Sequence, residues 1–519
     1  MARDTADALL GDLREHNPWW DEGVEAFSLP ERHKSDFYHL VRPDEEGSRF
    51  EDQPLFGLVG RRGAGKTTLV MGFVHYRIAA GADPRAFVYL PFAADPRYQL
   101  RSDEQVRRAL RYYENRILGR DRVDGPHFVI LDDVNRIEHP TKPTVDGWGT
   151  PIAELLAEDV DRHVVVTASA DVQVTRELER AGVPQSAYAV QPILPEKFRD
   201  FIFSRYPDLE ADEETRISPT SLRTGETGLP RAIERGDATA FVDELHRKRA
   251  QVRETERRIQ SHVGDYLAMG GILSYATEEP ATSIDDLDPD AFTQLRRSLS
   301  DALYQEIPGF ESIKTIDDLE RLCALAAENR GREPIRYRDL VEWFDVDRRT
   351  IADRYLPALS ALYILTGVTE YDNERPRSVR LFLRDTGLVT ALSTGAESGV
   401  RESLAFEADL ALIAAFDHTM RFAYNLAMAR GEAGEPSVQY WRGRQGEVEF
   451  VFEVDGTPVP VGLAYRPGDR ESTIAALREF MATYEAPVGV SIGGDPGREE
   501  IRLDDGIVEL PYWLYMLLC

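Results

Sequence analysis

A glycine-rich loop constrains the fold of this chain more than any other feature. Residues 54–59, PLFGLV, have the character of a buried strand, and residues 69–78, LVMGFVHYRI, have the period of a helix. Between them the sequence GRRGAGKTT, residues 60–68, fits the pattern GxxxxGK followed by Ser or Thr. A strand, a glycine loop and a helix in this order predict a phosphate-binding loop at the edge of a parallel α/β sheet.

The residue types of the loop suit a nucleoside triphosphate bound with Mg²⁺. Glycines allow consecutive backbone N–H groups to surround phosphates, and the helix N-terminus adds a favourable potential. We expect Lys66 to contact the β- and γ-phosphates and Thr67 to ligate Mg²⁺. The set expected to bind the nucleotide is Gly60, Arg61, Arg62, Gly63, Ala64, Gly65, Lys66, Thr67 and Thr68.

Two acidic residues follow a second apolar run, about 60 residues downstream of the loop. Residues 128–131 read FVIL, which predicts a buried strand, and Asp132 and Asp133 come directly after it. At a strand end beside the loop, Asp132 is placed to hold the Mg²⁺ shell. Asp133 is placed to orient or deprotonate the attacking water. Without the loop, the same pair would be equally typical of a solvated turn.

A third apolar run predicts a neighbouring strand that ends in hydroxyl side chains. Residues 162–169 read RHVVVTAS, and either Thr167 or Ser169 is a candidate sensor of the γ-phosphate. We group Ser169 with Lys66 and Asp133 as the candidate catalytic residues. The alternative role for these hydroxyls is to cap the helix predicted for the next residues, DVQVTRELER.

The charge composition indicates the salt concentration in which the protein works. The 519 residues include 91 acidic and 62 basic side chains, a net charge of −29, and Lys supplies only 6 of the bases. An acidic, lysine-poor chain is typical of a high-salt (halophilic) cytoplasm, because about 1 M salt shortens the screening length to about 3 Å. This balance argues against a large basic surface for nucleic acid.

Cysteine content and hydropathy exclude disulfide-rich, zinc-binding and membrane-spanning classes of protein. The two cysteines, Cys323 and Cys519, are too few for a disulfide framework or a cysteine zinc site. The longest uncharged stretch, residues 355–369, is too short to span a bilayer. We therefore expect a cytoplasmic protein without membrane contact.

In their order along the chain, these motifs and several later ones resemble archaeal and bacterial AAA-type ATPases. Those proteins carry a winged helix and a C-terminal domain related to PD-(D/E)xK nucleases. The later motifs are NPWW at 17–20, PILPEKF at 192–198, DYLAMGG at 265–271, VRLFLRDTGL around Asp385, RESLAFEADL around Glu407, YWR at 440–442 and GEVEF at 446–450. The resemblance implies ATP as the nucleotide and Mg²⁺ as the metal. It departs at Asp133, where such ATPases usually carry Glu, and it offers no assignable arginine finger.

The resemblance implies five segments in an α/β protein whose AAA-like P-loop NTPase domain has a parallel sheet. They are an N-terminal helical segment (1–45), the ATPase core (46–194), a helical lid (195–275), a winged helix-turn-helix (276–397) and a degenerate nuclease-like α/β domain (398–519).

The winged-helix prediction depends on apolar spacing. Residues 334–366 show a helix, a short turn and a second helix, and Ile351, Tyr355, Leu359 and Leu362 share one face of the second helix. In the recognition position, Arg348, Arg349 and Arg354 would contact DNA. The alternative is a packing module between domains that contacts no DNA.

The nuclease-like segment lacks part of the chemistry of its relatives. PD-(D/E)xK enzymes place an acid on a helix, an acid on a strand and Glu-x-Lys on the next strand, which together hold Mg²⁺ and activate water. Glu407 and Glu449 are candidates for the first two acids, but Gly462 and Ala464 stand where Glu and Lys are expected. We therefore expect no nuclease activity.

Two functions fit this sequence. The first is a Mg²⁺-dependent ATPase whose cycle drives or gates the appended winged-helix and nuclease-like segments, with DNA, a protein partner or further copies of the chain as possible partners. The second is a nucleotide-gated DNA- or protein-binding switch with negligible hydrolysis, which the short Asp133 side chain favours.

Overall fold

The phosphate-binding loop lies on a parallel sheet in the computed structural model. The structure describes residues 13–28, 50, 53–92, 103–118, 126–134, 148–158, 161–205, 228–273, 290–393, 404–429, 437–494 and 500–518. The chain forms two units. Unit 1 is Met1–Leu194, Asp301–Lys314 and Ala361–Tyr363, and unit 2 is Pro195–Ser300, Thr315–Ser360 and Ile364–Cys519. The chain therefore leaves unit 2 twice to contribute to unit 1.

Unit 1 contains five strands and five helices among its described residues. The strands are β1 (Leu55–Val59), β2 (Phe87–Pro91), β3 (His127–Asp132), β4 (Arg162–Ala168) and β5 (Tyr188–Pro192). The helices are α1 (Trp19–Glu22), α2 (Lys66–Ala79), α3 (Asp103–Tyr112), α4 (Gly149–Leu156) and α5 (Asp171–Arg180). A π-helical turn, Ala302–Glu306, and a 3-10 turn, Ile307–Gly309, belong to the same unit.

The sheet order of unit 1 is β2-β3-β4-β1-β5, and every neighbouring pair is parallel. Alternate residues of a strand enter opposite faces, and here both faces are buried. Val129 and Leu131 of β3 belong to one apolar cluster, whereas Phe128 and Ile130 belong to another. Burial on both faces explains why the strands read as continuous apolar runs rather than as alternating ones. This confirms the predicted parallel-sheet α/β fold.

The side chain of Asn17 covers the exposed edge of the sheet. Strand β2 lies at the edge, and Asn17 pairs with Tyr89 of this strand as a neighbouring backbone would. The Asn17 side-chain N–H donates to the Tyr89 carbonyl at 3.0 Å, and the Tyr89 N–H donates to Asn17 Oδ1 at 2.6 Å. The indole of Trp20 donates to the Phe87 carbonyl at 2.8 Å. The NPWW motif thus satisfies backbone groups that an edge strand would otherwise expose.

Unit 2 holds the remaining described elements. Its helices are α6 (Phe198–Arg205), α7 (Gly228–Arg235), α8 (Thr239–Gln251), α9 (Glu256–Ser261), α10 (Val263–Leu273), α11 (Ala291–Asp301), α12 (Ile316–Asn329), α13 (Tyr337–Phe344), α14 (Arg348–Thr350), α15 (Leu356–Ala361), α16 (Thr386–Leu392), α17 (Leu404–Ala429), α18 (Asp469–Tyr484) and α19 (Tyr512–Met516), of which α11 and α15 each end in a residue assigned to unit 1. A π-helical turn, Ile351–Tyr355, joins α14 to α15.

The strands of unit 2 form two sheets. They are β6 (Ile335–Arg336), β7 (Leu365–Val368), β8 (Ser378–Leu383), β9 (Gln439–Arg442), β10 (Glu447–Val454), β11 (Thr457–Ala464), β12 (Gly489–Gly493), β13 (Arg502–Asp504) and β14 (Ile507–Pro511). The small sheet has the order β6-β8-β7 and is antiparallel. The larger sheet has the order β13-β14-β12-β11-β10-β9, in which β11, β12 and β14 are parallel.

Asp385 connects two of the sequence motifs within unit 2. Its carboxylate caps α16 by accepting the Leu388 N–H at 3.1 Å, and it also accepts the Gly271 N–H of α10 at 2.7 Å. A Cβ at Gly270 would lie 2.6 Å from Asp385 Oδ1, so only glycine fits this contact. The motifs around residues 265–271 and 385 therefore join helix α10 to the start of helix α16.

The predicted five-segment scheme remains a prediction. Most of segment 1–45 lies outside the described residues, as do residues 206–227 of the proposed lid. Helix α13, the turn at Asp345 with a φ of 51°, and the elements from α14 to β8 follow the order predicted for residues 334–397. Their assignment as a winged helix stays a prediction. Among the described residues, no helix is long and apolar enough to cross a membrane.

We predict that Asn17→Ala destabilises unit 1 by about 2–4 kcal/mol, because the edge-strand groups of Tyr89 lose their buried partners. The measurement is denaturant unfolding in molar KCl, followed by tryptophan fluorescence. Asn115→Ala is the matched control, since the exposed Asn115 side chain donates to the Arg111 carbonyl four residues earlier. Equal unfolding midpoints for the two variants would contradict the role given to Asn17.

Candidate functional site

The phosphate-binding loop follows β1, which lies between β4 and β5 in the sheet. At its start, Gly60 has a φ of 157°, and a Cβ at this position would lie 2.4 Å from the Ile193 carbonyl oxygen. Only glycine can therefore occupy position 60 without displacing backbone. The loop ends at Gly65, which has a φ of 95° and directly precedes helix α2. The N-terminus of this 14-residue helix faces the end of the loop, as phosphate binding requires.

Lys66 lies inside the loop. Its ammonium group donates to the Gly60 carbonyl at 2.6 Å and to the Arg61 carbonyl at 3.2 Å. Burial lowers the pKa of Lys66 below its ordinary value, and the nearby charges of Asp133, Glu306 and Asp132 offset this effect only in part. A buried ammonium group held by two carbonyls is well placed to exchange them for phosphate oxygens. Of the other loop residues, Arg61 is buried and Arg62 is exposed.

Asp132 joins three parts of the site. Its Oδ2 accepts the Thr67 hydroxyl at 2.9 Å and the Tyr89 hydroxyl at 2.6 Å. Its Oδ1 accepts the hydroxyl of Thr167. One buried carboxylate thereby connects the loop, β2 and β4 at the carboxyl edge of the sheet. The structure brings the two predicted metal ligands, Thr67 and Asp132, into direct contact.

These two oxygens have a spacing that suits Mg²⁺. Adjacent ligands of an octahedral Mg²⁺ with bonds of 2.0–2.1 Å are about 2.9 Å apart. The distance between Thr67 Oγ1 and Asp132 Oδ2 is 2.9 Å. Hydroxyl and carboxylate oxygens are also ligands that Mg²⁺ prefers. The residues present therefore fit the metal that the loop implies.

Asp133 adopts an unusual backbone conformation. Its φ is 61°, in the left-handed region that aspartate tolerates better than most residues. Its N–H donates to Thr167 Oγ1 at 2.8 Å, and the same hydroxyl donates to Asp132. Thr167 thus contacts the carboxylate of Asp132 and the backbone of Asp133. Of the two hydroxyl candidates, Thr167 is the one whose side chain contacts the acidic pair in the described hydrogen bonds.

Ser169 and the start of α5 are organised by a residue that sequence reasoning missed. The Gln173 side-chain oxygen accepts the N–H groups of Ser169 at 3.2 Å and Ala170 at 3.1 Å. The N-cap residue of α5 is Ala170, so neither Thr167 nor Ser169 caps this helix. Ser169 is buried directly after β4, beside the acidic pair in the sheet order. Its predicted sensing role stays a prediction.

The three candidate DNA-contacting arginines differ in their surroundings. The Arg348 guanidinium lies over the Tyr337 ring, 4.7 Å from its centroid, and donates to the Pro376 carbonyl at 2.7 Å. Arg349 is exposed, and Arg354 is half-buried. Arg348 therefore stabilises the elements around it, whether or not it also contacts a ligand.

A second polar pocket, of about 430 Å³, lies in unit 2 and includes Glu449 among its lining residues. Burial raises the pKa of Glu449 to about 7, and the neighbouring Glu447 raises it further, against the lowering effect of the Leu463 N–H bond. Glu407, at the start of α17, accepts the Tyr465 hydroxyl at 2.6 Å. Glu449 thus accepts a hydrogen bond from Leu463 of β11, and Glu407 accepts one from Tyr465, the residue after β11.

The sequence assignment of β11 is corrected by one residue. Gly462 and Ala464 were expected to occupy the positions of Glu and Lys, but Leu463 and Tyr465 line the pocket with Glu449. A Cβ at Gly462 would instead lie 2.5 Å from Thr473 of α18. Strand β10 is irregular between Val448 and Val451 in its pairing with β9, whereas its pairing with β11 is regular from Phe450 to Val454. Neither Leu463 nor Tyr465 restores the missing acid and lysine.

Comparison with known families agrees with the fold of unit 1. Residues 52–202 match a family described as an AAA domain, and residues 280–399 match a domain of unknown function. With the all-parallel sheet and its phosphate loop, the first match shows an AAA-type P-loop ATPase domain. Among curated proteins, none matches this chain.

The solved structures that match this chain are distant from it. A Walker-type ATPase of Pyrococcus abyssi is 12% identical, with a TM-score of 0.33, over 71% of this chain and 99% of that chain. The ORC2 protein of Aeropyrum pernix is 17% identical, with a TM-score of 0.29, over 70% of this chain and 88% of its own. The ORC1 protein of the same organism, solved in complex with DNA, is 13% identical, with a TM-score of 0.25, over 74% and 92%. At these values no property of those proteins is transferred to this chain.

We predict that Glu449→Gln removes a pH-dependent loss of stability. Because the pKa of Glu449 rises from 4.5 to about 7 on folding, the parent loses stability as pH rises from about 4.5 to 7. The variant should be more stable than the parent by about 2–3 kcal/mol at pH 8 and nearly equal at pH 4.5. Denaturant unfolding at both pH values measures this difference. The exposed Glu471→Gln serves as control, and a pH-independent difference for Glu449→Gln would contradict the prediction.

Proposed function

We propose that this protein is a Mg²⁺-dependent ATPase whose nucleotide cycle drives or gates the elements of unit 2. The observation that carries the proposal is the connection of Lys66, Thr67, Asp132 and Thr167 at one edge of the sheet. The Lys66 ammonium group would bind the β- and γ-phosphates. Thr67 and Asp132 would hold Mg²⁺, which when bound neutralises the charge that develops on the phosphates.

The geometry supports hydrolysis as well as binding. Asp133 and Thr167 lie beside Asp132, so the site offers groups that can orient a water near the terminal phosphate. Ser169 follows on the same edge. The choice of ATP rests on the AAA domain match of residues 52–202. The proposed winged helix would be the element that contacts DNA or a protein partner, through Arg348, Arg349 and Arg354.

The test compares the parent with Lys66→Ala in molar KCl and Mg²⁺. We expect the parent to bind a fluorescent ATP analogue and to release phosphate from ATP. The variant should lose at least about 100-fold in turnover, because the phosphates lose their buried cation. Lys314→Ala is the matched control, since Lys314 is an exposed lysine of the same unit. Unchanged binding and turnover in Lys66→Ala would overturn the site assignment.

The second candidate function is a nucleotide-gated switch with negligible hydrolysis. The short side chain of Asp133 and its constrained backbone favour this alternative. The same experiment separates the two functions. Tight ATP binding by the parent that Lys66→Ala removes, without phosphate release, would identify a switch. Release of phosphate that DNA accelerates would instead identify a DNA-coupled ATPase.

We also propose that the pocket around Glu449 does not cut nucleic acid. Leu463 of β11 and Tyr465 after it line the pocket, so β11 supplies neither the acid nor the lysine that would hold Mg²⁺ and activate water. We expect supercoiled plasmid to remain intact when incubated with the protein and Mg²⁺ or Mn²⁺. Nicking by the parent that Glu449→Gln abolishes would show that the pocket is an active nuclease site.

A further inference from the structure

Glu306 is a buried acid of unit 1 that lies outside every sequence motif described above. It ends the π-helical turn Ala302–Glu306, in the segment that the chain returns to unit 1 about 170 residues after β3. The residue is only 5% exposed, and its Oε2 accepts no hydrogen bond from the described residues. A buried carboxylate oxygen without a donor is costly, so a donor other than the described residues is expected to satisfy it, and a bound water is a donor of this kind.

The surroundings of Glu306 locate it at the nucleotide site. Its negative charge lies close enough to Lys66 to favour the charged form of the ammonium group. Three residues later, a Cβ at Gly309 would lie 3.3 Å from the side chain of Gln173, which itself holds the N–H of Ser169. Next to it, the Phe310 carbonyl accepts a guanidinium N–H of Arg176 at 3.0 Å. The segment thus packs against the start of α5, at the edge of the sheet that carries the acidic pair.

A carboxylate in this position meets a chemical need of the site. The residue after Asp132 is an aspartate, one methylene shorter than glutamate, and its φ of 61° and the bond of its N–H to Thr167 constrain its backbone. A carboxylate near phosphates is repelled unless a water or a metal lies between them. A water there can donate one hydrogen bond to the carboxylate and direct its oxygen towards the γ-phosphorus.

We propose that Glu306 binds the attacking water and accepts its proton during ATP hydrolysis. This inference rests on the proposed ATPase function. The water oxygen forms a bond to the γ-phosphorus, and the bond from this phosphorus to the bridging oxygen breaks. ADP leaves with the bridging electron pair, and one water proton passes to the Glu306 carboxylate. In this scheme Asp133 is not the proton acceptor; its N–H holds Thr167 beside Asp132.

The simpler role for Glu306 is that of a counter-ion for Lys66, and the two roles predict different results. A counter-ion affects nucleotide binding, because its removal changes the charge that Lys66 presents to phosphates. A water-binding acid affects the chemical step and the binding of a transition-state mimic, but it leaves ground-state binding nearly unchanged. An experiment that measures both quantities therefore distinguishes them.

The experiment compares the full-length parent with Glu306→Gln, Glu306→Asp and Asp133→Asn. Fluorescent ATP and ADP analogues report ground-state binding, and single-turnover phosphate release reports the chemical step. Slow release of fluorescent ADP in the presence of Mg²⁺ and aluminium fluoride reports a positioned water without any turnover. Glu311→Gln, a half-buried acid of the same segment, is the matched control.

We expect Glu306→Gln to bind both analogues within about 3-fold of the parent, to lose about 100-fold or more in phosphate release, and to lose trapping by aluminium fluoride. Glu306→Asp should retain part of the rate, and Glu311→Gln should behave as the parent. The inference is overturned if Glu306→Gln keeps both rate and trapping, if its binding falls in parallel with its rate, or if only Asp133→Asn loses trapping. A parent that neither hydrolyses ATP nor traps ADP contradicts the ATPase proposal itself, and the inference with it.

Discussion

The carboxylate of Asp132 is the interaction on which the rest of unit 1 depends. It accepts hydrogen bonds from the hydroxyl groups of Thr67, Tyr89 and Thr167. It therefore connects the phosphate loop to β2 and β4, which lie on opposite sides of β3. Tyr89 in turn binds Asn17, so a continuous set of hydrogen bonds leads from the site to the covered edge of the sheet. Binding of a metal at Asp132 would change the partners of this carboxylate and thereby act on the whole set.

The features that sequence alone predicted in unit 1 are those that local chemistry determines. Gly60 and Gly65 are required by backbone conformations and close approaches, and apolar runs before Gly60 and Asp132 are required by strands buried on both faces. Because parallel strands place their carboxyl ends at one edge, the loop, the acids and the hydroxyls could be expected to meet. The structure places Lys66, Thr67 and Asp132 together as that argument requires.

The features that sequence did not predict depend on long-range contacts or on the register of a strand. No pattern links Asn17 to β2, or the charge of Glu306 to Lys66, because each pair lies far apart in the chain. In β11, the motif of the resembled nucleases assigned Gly462 and Ala464 to the metal site, whereas Leu463 and Tyr465 line the pocket with Glu449. A shift of one residue reverses the face of every side chain in a strand, so such an error cannot be seen without the paired strand.

Under the proposed ATPase function, the order in which the two units are synthesised also determines when the activity could begin. Residues 301–314 belong to unit 1, yet the ribosome adds them only after about 110 residues of unit 2. At about 5–20 residues per second, the sheet edge with Asp132 is made roughly 10–35 seconds before Glu306. A nascent chain can therefore present the phosphate loop while it still lacks this acid. Nucleotide present during translation could then bind early, as a ligand that assists folding, before the finished protein is able to consume it.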